Sequence, residues 1–313
     1  MEKVSQKKKN PISWIILISL VLVWGSSFIL IKKSLLYFSG VEVGLLRIVI
    51  TFLFLSPLAV RKLKKVPRKN FFLLFISGII GSSIPALLFA IAETKIESSI
   101  AGTLNSLTPL FTLIIGLSFF RIKARWYNVT GVLIGLFGAV GLILSSSKGN
   151  MGGNILYSSL VVIASICYAI NVNLVKVYFK GISSLDITVL TFLFIGVPTL
   201  IYVIIFTNVP ELLLTDAKSW EGLGYLSILS IVGTGIALIA FNQLIKLSSP
   251  VFASSVTYLI PVIAIIWGVI DGEPFSLIYF LWIILILAGV FLVNAKPYSN
   301  LNLSSRILFK KNK

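Results

Sequence analysis

Ala101–Gly116, AGTLNSLTPLFTLIIG, and Ala253–Gly268, ASSVTYLIPVIAIIWG, decide the fold of this 313-residue chain. Each is an apolar run with a small-residue start, polar residues near its middle, a central proline and a closing glycine. They lie 152 positions apart (253 − 101), with Pro109 in register with Pro261 and Gly116 with Gly268. A proline inside an apolar helix costs a backbone hydrogen bond, so its reuse at one offset marks a duplicated unit.

Working outward, the same offset aligns Gly81 with Gly233, Ile84 with Ile236, Phe89 with Phe241 and Leu107 with Leu259. Further toward the N-terminus the offset becomes 144 (168 − 24). It sets Trp24 over Tyr168, Lys32 over Lys176, Glu42 over Asp186 and Ser27 over Asn171. The change of offset falls at the longest connection, around 208–221.

Composition says where such repeats live. Hydrophobic residues make up 57% of the chain and charged residues only 12%, against about a quarter charged in soluble domains. The apolar residues fall in blocks of about twenty, the length that crosses a bilayer as a helix. Ten spans are expected. They are 13–31, 42–60, 71–92, 98–119 and 127–144 in a first unit (1–147). A second unit (148–296) holds 154–175, 185–207, 222–245, 251–270 and 276–294, and a basic tail follows at 297–313. The N-terminal apolar block is too long for a signal-peptide core and reads as a retained first span.

The formal charge of +17 points to a membrane rather than to nucleic acid, because Lys and Arg collect on the cytoplasmic side of such proteins. With both termini cytoplasmic, outside segments hold only Lys32, Lys33, Lys95, Lys148 and Lys218. Arg47 lies inside a span, and the rest of the 27 basic residues fall inside. Glu93, Glu97, Glu211, Asp216, Glu221, Asp271 and Glu273 gather outside. The reading is therefore an all-α integral protein of the cell membrane with ten transmembrane helices. Five spans per unit is an odd number, so the second unit enters from the opposite side. Two inverted repeats suit a carrier that exposes one site alternately to each side.

These residues resemble a known family. The WGSSF closing the first span (24–28), LLR in the second (45–47) and SSIAGTLNSLTPLF in the fourth (98–111) look like the EamA-type branch of the drug/metabolite transporter superfamily. SSPVFASSVTYLIPVIAIIWG (248–268) followed by DGEP looks like its second repeat unit. The resemblance implies ten helices, a substrate cavity between the halves, and movement of small metabolites. The family's Gly-Glu after each fourth-type span is kept at Gly272-Glu273, but the first half has Phe120-Arg121 there.

The candidate pathway follows from polar residues within spans. Ser26, Ser27, Asn105 and Thr108 form an outer layer; Tyr168, Asn171, Asn173, Asn242, Thr257 and Tyr258 form an inner one. Trp24 and Trp267 lie near the cavity between them. Helix–helix hydrogen bonding explains any one of these equally well. Arg47, an intramembrane charge and so a functional candidate, reads first as a snorkelling residue or a partner of Glu42 or Glu93, and second as a substrate contact. Pro85, Pro109, Pro198 and Pro261 are candidate kinks or hinges. Gly131, Gly135 and Gly138 lie at small-residue spacing that suits a homodimer face or, preferably, an internal contact.

Absences narrow the chemistry. The sequence has no histidine, a single cysteine (Cys167) and no GxxxxGK[ST] motif. It offers no metal set, no disulfide within the chain, no nucleotide cofactor and no hydrolytic constellation. The expectation is a cofactor-free secondary transporter, not an enzyme, that exports a neutral or zwitterionic, amino-acid-like metabolite. A carrier of anionic metabolites such as sugar phosphates ranks second, since only Arg47 would serve it. A membrane-embedded enzyme or a non-transporting scaffold ranks below.

Overall fold

Apolar blocks this long satisfy their backbone hydrogen bonds internally as helices, and the computed structural model of the chain is built from helices. It describes residues 11–120, 126–146, 151–247, 253, 256–273 and 276–294, and no strand occurs among them. The first half gives α1 (Pro11–Gly25), α2 (Ser27–Ser34), α3 (Gly40–Leu63), α4 (Phe71–Gly78), α5 (Ile84–Ala92), α6 (Ser98–Asn105), α7 (Thr108–Phe120) and α8 (Trp126–Ser146). The second gives α9 (Met151–Tyr178), α10 (Ser184–Phe206), α11 (Val209–Thr215), α12 (Ser219–Ser230), α13 (Ala237–Leu247), α14 (Val256–Ile270) and α15 (Leu277–Asn294). Seven helical stretches are long and apolar enough to cross a membrane: Ile12–Ser34, Gly40–Ala59, Arg68–Ala92, Ser98–Phe119, Ile155–Tyr178, Ser184–Phe206 and Ser219–Leu247. Leu133–Leu142, Leu259–Ile270 and Leu277–Gly289 are shorter apolar helices. The 208–221 connection, expected as a loop, contains α11.

Four spans expected as single helices are interrupted, each for a local reason. Ser26 separates α1 from α2 and returns its hydroxyl to Leu22 O at 2.8 Å, a back-bond that tends to bend helices. α6 and α7 part at Ser106-Leu107. Pro109 has no N–H for the Asn105 carbonyl, and the Thr108 hydroxyl takes that acceptor at 2.8 Å. α4 and α5 are joined by a π-helical segment, Ile79–Ser83, and α12 and α13 by another, Ile231–Ile236. The two start 152 positions apart (231 − 79), so the repeat reproduces a backbone defect. Proline does not explain both: Pro85 follows the first, but Ala237 holds its place in the second.

Packing also repeats. α5 lies on α9 as α13 lies on α1, and α7 on α9 as α14 on α1. α3 pairs with α10, and each opens on a serine cap in register: Ser39 Oγ accepts from Glu42 N (3.3 Å), Ser183 Oγ from Asp186 N (3.0 Å). α8 packs along α15 in a glycine seam. A Cβ on Gly289 would fall 2.6 Å from Gly131 O, and one on Gly138 would fall 2.9 Å from Ile286 N. The backbones touch, so the Gly131–Gly138 face is an internal seam.

Candidate functional site

A cavity of about 110 Å³ lies in the middle of the bundle, lined from both halves. By this measure a single water needs roughly 10–15 Å³, so the space suits a small metabolite. Its walls are pairs that the repeat relates. Trp24 meets Phe241 edge-on with centroids 4.9 Å apart, and Tyr168 stacks on Phe89 at 6.0 Å. Trp24 is the counterpart of Tyr168, and Phe89 of Phe241. The π segments carry the second pair. A Cβ on Gly81 would overlap the Asn171 amide, and one on Gly233 would fall 3.0 Å from Ser27 Oγ.

Such π segments recur at functional sites, and here Gly233 O accepts Trp24 Nε1 at 2.9 Å, while Ser230 O, just before the segment, accepts Thr51 Oγ1 at 3.0 Å. Ser77 Oγ donates to Asn171 Oδ1 at 2.6 Å, and Asn242 Nδ2 donates to Thr188 Oγ1 at 3.1 Å. Arg47 brings the cavity's charge. Its Nε donates to Thr234 Oγ1 at 2.7 Å. It forms no ion pair with Glu42, whose carboxylate is turned back to the Ser39 cap, nor with Glu93. The expected pairing is therefore replaced by a position on the cavity wall, because Arg47 faces the π segment of α12–α13 rather than its own helix start.

Of the residues expected at the pathway, Trp24, Ser27, Arg47, Asn105 and Thr108 line this cavity, with Tyr168, Asn171, Asn242 and Thr257. Three lie elsewhere. Ser26 is turned about 100° from Ser27 by helical geometry and accepts Trp267 Nε1 at 2.9 Å, so both tie the α1–α2 junction to α14. Asn173 is two residues past Asn171, hence on the far side of α9, and its amide bonds Thr112 O and Ala169 O. The Tyr258 side chain is outside the described residues. Pro85 and Pro109 sit in first turns after interruptions, whereas Pro198 and Pro261 lie inside continuous helices. The sequence pair Pro109/Pro261 thus has two different backbones. Ser77, Ser82, Thr188, Thr191 and Thr234 also line the cavity and were missed. Ser82 and Thr234 are counterparts at the 152 offset, hydroxyl over hydroxyl, a signal the register did offer, whereas Ser77, Thr188 and Thr191 fall in register with Leu229, Gly44 and Arg47.

One end of the bundle is closed by charge. Lys32 Nζ lies 2.7 Å from Asp271 Oδ2 and 3.0 Å from Glu273 Oε1, and Lys33 also pairs with Asp271. Glu273 in turn caps the start of α6, accepting from Ser98 N (3.0 Å), Ser98 Oγ (2.6 Å) and Ser99 N (3.2 Å). Hydrogen bonds from Lys32 and Lys33 hold Asp271 below the usual carboxylate range. Burial pushes Glu273 up, but hydrogen bonds from Ser98 and Lys32 outweigh it and hold it low. At the opposite end Lys62 pairs with Asp186 at 2.7 Å, Lys176 Nζ donates to Ile245 O at 3.2 Å, and Lys246 Nζ donates to Ile182 O.

The repeated, two-ended bundle with a central cavity has relatives. An inner membrane transporter of Escherichia coli K12 described as uncharacterized, YedA, is 28% identical over 295 residues, covering 90% of this chain and 92% of that protein. An uncharacterized transporter of Archaeoglobus fulgidus is 24% identical over 284 residues, covering 90% and 99%. A solved crystal structure superposes with a TM-score of 0.62 at 16% identity over 91% of this chain and 96% of that one, a likeness of fold alone. The profile of the EamA-like transporter family matches twice, at residues 12–144 and 155–295, once on each repeat. This multi-pass membrane protein belongs to the EamA-like transporter family.

Proposed function

We propose that the protein is a secondary transporter of a small zwitterionic, amino-acid-like metabolite, working by alternating access in the export direction. The observation that carries this reading is the paired lining of the cavity. Trp24–Phe241 and Tyr168–Phe89 present similar walls from opposite repeats, so exchanging the conformations of the halves moves the opening without rebuilding the site. Seven long and three shorter apolar helices are read as ten spans in two inverted five-helix units. The Asp271–Glu273 end faces outside and both termini lie in the cytoplasm.

Substrate class follows from the lining. Arg47, with Thr234 holding its Nε, offers its remaining guanidinium donors to a carboxylate. The Asn105, Asn171 and Asn242 amides suit polar uncharged groups, and the aromatic pairs suit an apolar moiety. A phosphate would call for several inward cations, and Arg47 stands alone among the lining residues.

The test is reconstitution into liposomes followed by counterflow of a labelled amino-acid and metabolite panel. Counterflow of at least one zwitterionic compound, competed by its unlabelled form, is expected; silence across the panel overturns the proposal. Orientation has its own check with single cysteines at Lys64 and Glu211 in a Cys167→Ala background. Labelling of the Lys64 site from outside reverses the assignment.

A further inference from the structure

Glu93 follows the span Arg68–Ala92 and caps the end of α5. It reads in sequence as a loop acid, yet it is 93% buried (7% exposed), and neither carboxyl oxygen has a hydrogen-bond partner among the described residues. An ionised carboxylate left so is among the most costly arrangements in a protein. Its place makes it more than a packing fault. Ala86 and Phe89, on the preceding turns of the same helix, line the cavity. Glu93 therefore stands between that cavity and the closed end of the bundle.

The charged surroundings are mixed. Lys32 from α2, Arg47 from α3 and Glu273 after α14 all act on Glu93 electrostatically. α9, which also packs on α5, contributes Tyr168 stacked on Phe89. Lys95 and Glu97 belong to its own connection. Lys32 is already shared between Asp271 and Glu273, and Arg47 is bonded to Thr234. Burial, reinforced by the Glu273 charge, pushes the Glu93 carboxyl well above its ordinary value, against the pull of Arg47 and Lys32.

We propose that Glu93 is a proton-binding site of the outer gate, a neutral acid while the Lys32–Asp271–Glu273 cluster is closed and a carboxylate once the gate opens. The balance is one proton: the closed gate holds –COOH, and opening admits water and releases H⁺ to the outside, leaving –COO⁻. The closed state has the raised affinity. Its advantage is full below the ordinary carboxylate range and is lost as pH rises through the closed-state value. External acid thus favours closure, and each outward opening at a pH between that range and the closed-state value carries a proton out of the site. This inference rests on the transporter reading for the word gate, and its test needs no substrate.

Ala86 lines the cavity and is 4% exposed, so a cysteine there reports opening. In Ala86→Cys/Cys167→Ala protein in vesicles, a membrane-impermeant maleimide is added only on the Asp271 face. Its rate, normalised to a cysteine at exposed Leu36, is followed from acid to alkaline external pH. The normalised rate is expected to rise about tenfold per pH unit through the titration. In Glu93→Gln it should stay low and flat, since the amide mimics the protonated acid. Infrared difference spectra should show a protonated-carboxyl band that Glu93→Gln lacks; where that variant is poorly recovered, Glu93→Asp should shift the band, and an unshifted band overturns the assignment to Glu93. A pH-independent rate in the parent protein, or an unchanged pH response in Glu93→Gln, overturns the inference. Counterflow with flat accessibility sinks the proton site alone; titrating accessibility without counterflow sinks the transport reading alone.

Discussion

Replacing Glu273 with glutamine keeps the shape of the gate and removes its charge. The carboxylate is 3% exposed on its side chain and accepts from Lys32 Nζ, Ser98 N, Ser98 Oγ and Ser99 N. In either amide orientation the new –NH₂ meets a donor, so at least one α6 N–H loses its acceptor. Removing one partner of a buried pair costs about 3–5 kcal/mol. Lys32 is 35% exposed and Asp271 still pairs with it, so water and the remaining acid recover part of that. A net loss of about 2 kcal/mol corresponds to a shift of about 30-fold toward the open gate. The maleimide rate at Ala86→Cys from the Asp271 face should rise by about that factor, while Glu273→Asp should rise less. A wild-type labelling rate in Glu273→Gln, in protein of unchanged melting temperature, would refute the reasoning that this cluster holds the gate.

Other outcomes follow from the same coordinates. Gly289→Ala must separate α8 from α15 at a backbone contact and should lose about 1–3 kcal/mol, seen as a lower melting temperature in detergent; Gly224→Ala, with open space around its Cβ, should melt like the parent. Arg47→Gln should weaken counterflow of carboxylate-bearing substrates about tenfold or more by losing a charge-assisted bond, at unchanged protein level. Asp271 and Glu273 are held low, so their contribution to the closed end is complete above the ordinary carboxylate range. It is lost as pH falls through their depressed values. Melting temperature should therefore drop at strongly acid pH, and less steeply in Asp271→Asn.

Much of this was legible in the residues. Long apolar blocks give spans because lipid leaves the backbone no other partner, and the Gly81/Gly233 and Trp24/Tyr168 registers survive in space as matched contacts. The interruptions were hidden. Pro109 breaks its span because Thr108 can take the orphaned Asn105 carbonyl, whereas Pro261 lies within continuous helix. The π segments have no proline in common. Hydroxyl residues such as Thr188 and Thr234 escape sequence reading because a threonine in an apolar helix can always bond its own backbone. Both also do so here, to Ser184 O and Leu229 O. Which face they show is set by neighbours far away in the chain. Asn173 and Ser26 fail for the converse reason: polarity identified them, and one or two residues of rotation put them outside the cavity. Glu93 was hidden by its position just past a span, where an acid ordinarily meets water.

The glycine seam also bears on how the chain is made. α8 is synthesised well before α15, and its Gly138 and Gly141 lie against that late partner, at Ile286 and Trp282. Until α15 inserts, α8 must wait in the bilayer with a bare groove turned to lipid. The membrane insertion of one half thus stays unfinished until the other half is nearly complete. A ribosome stalled between them would leave a groove open to mispairing, and the order of synthesis becomes a constraint on assembly as real as any contact in the finished protein.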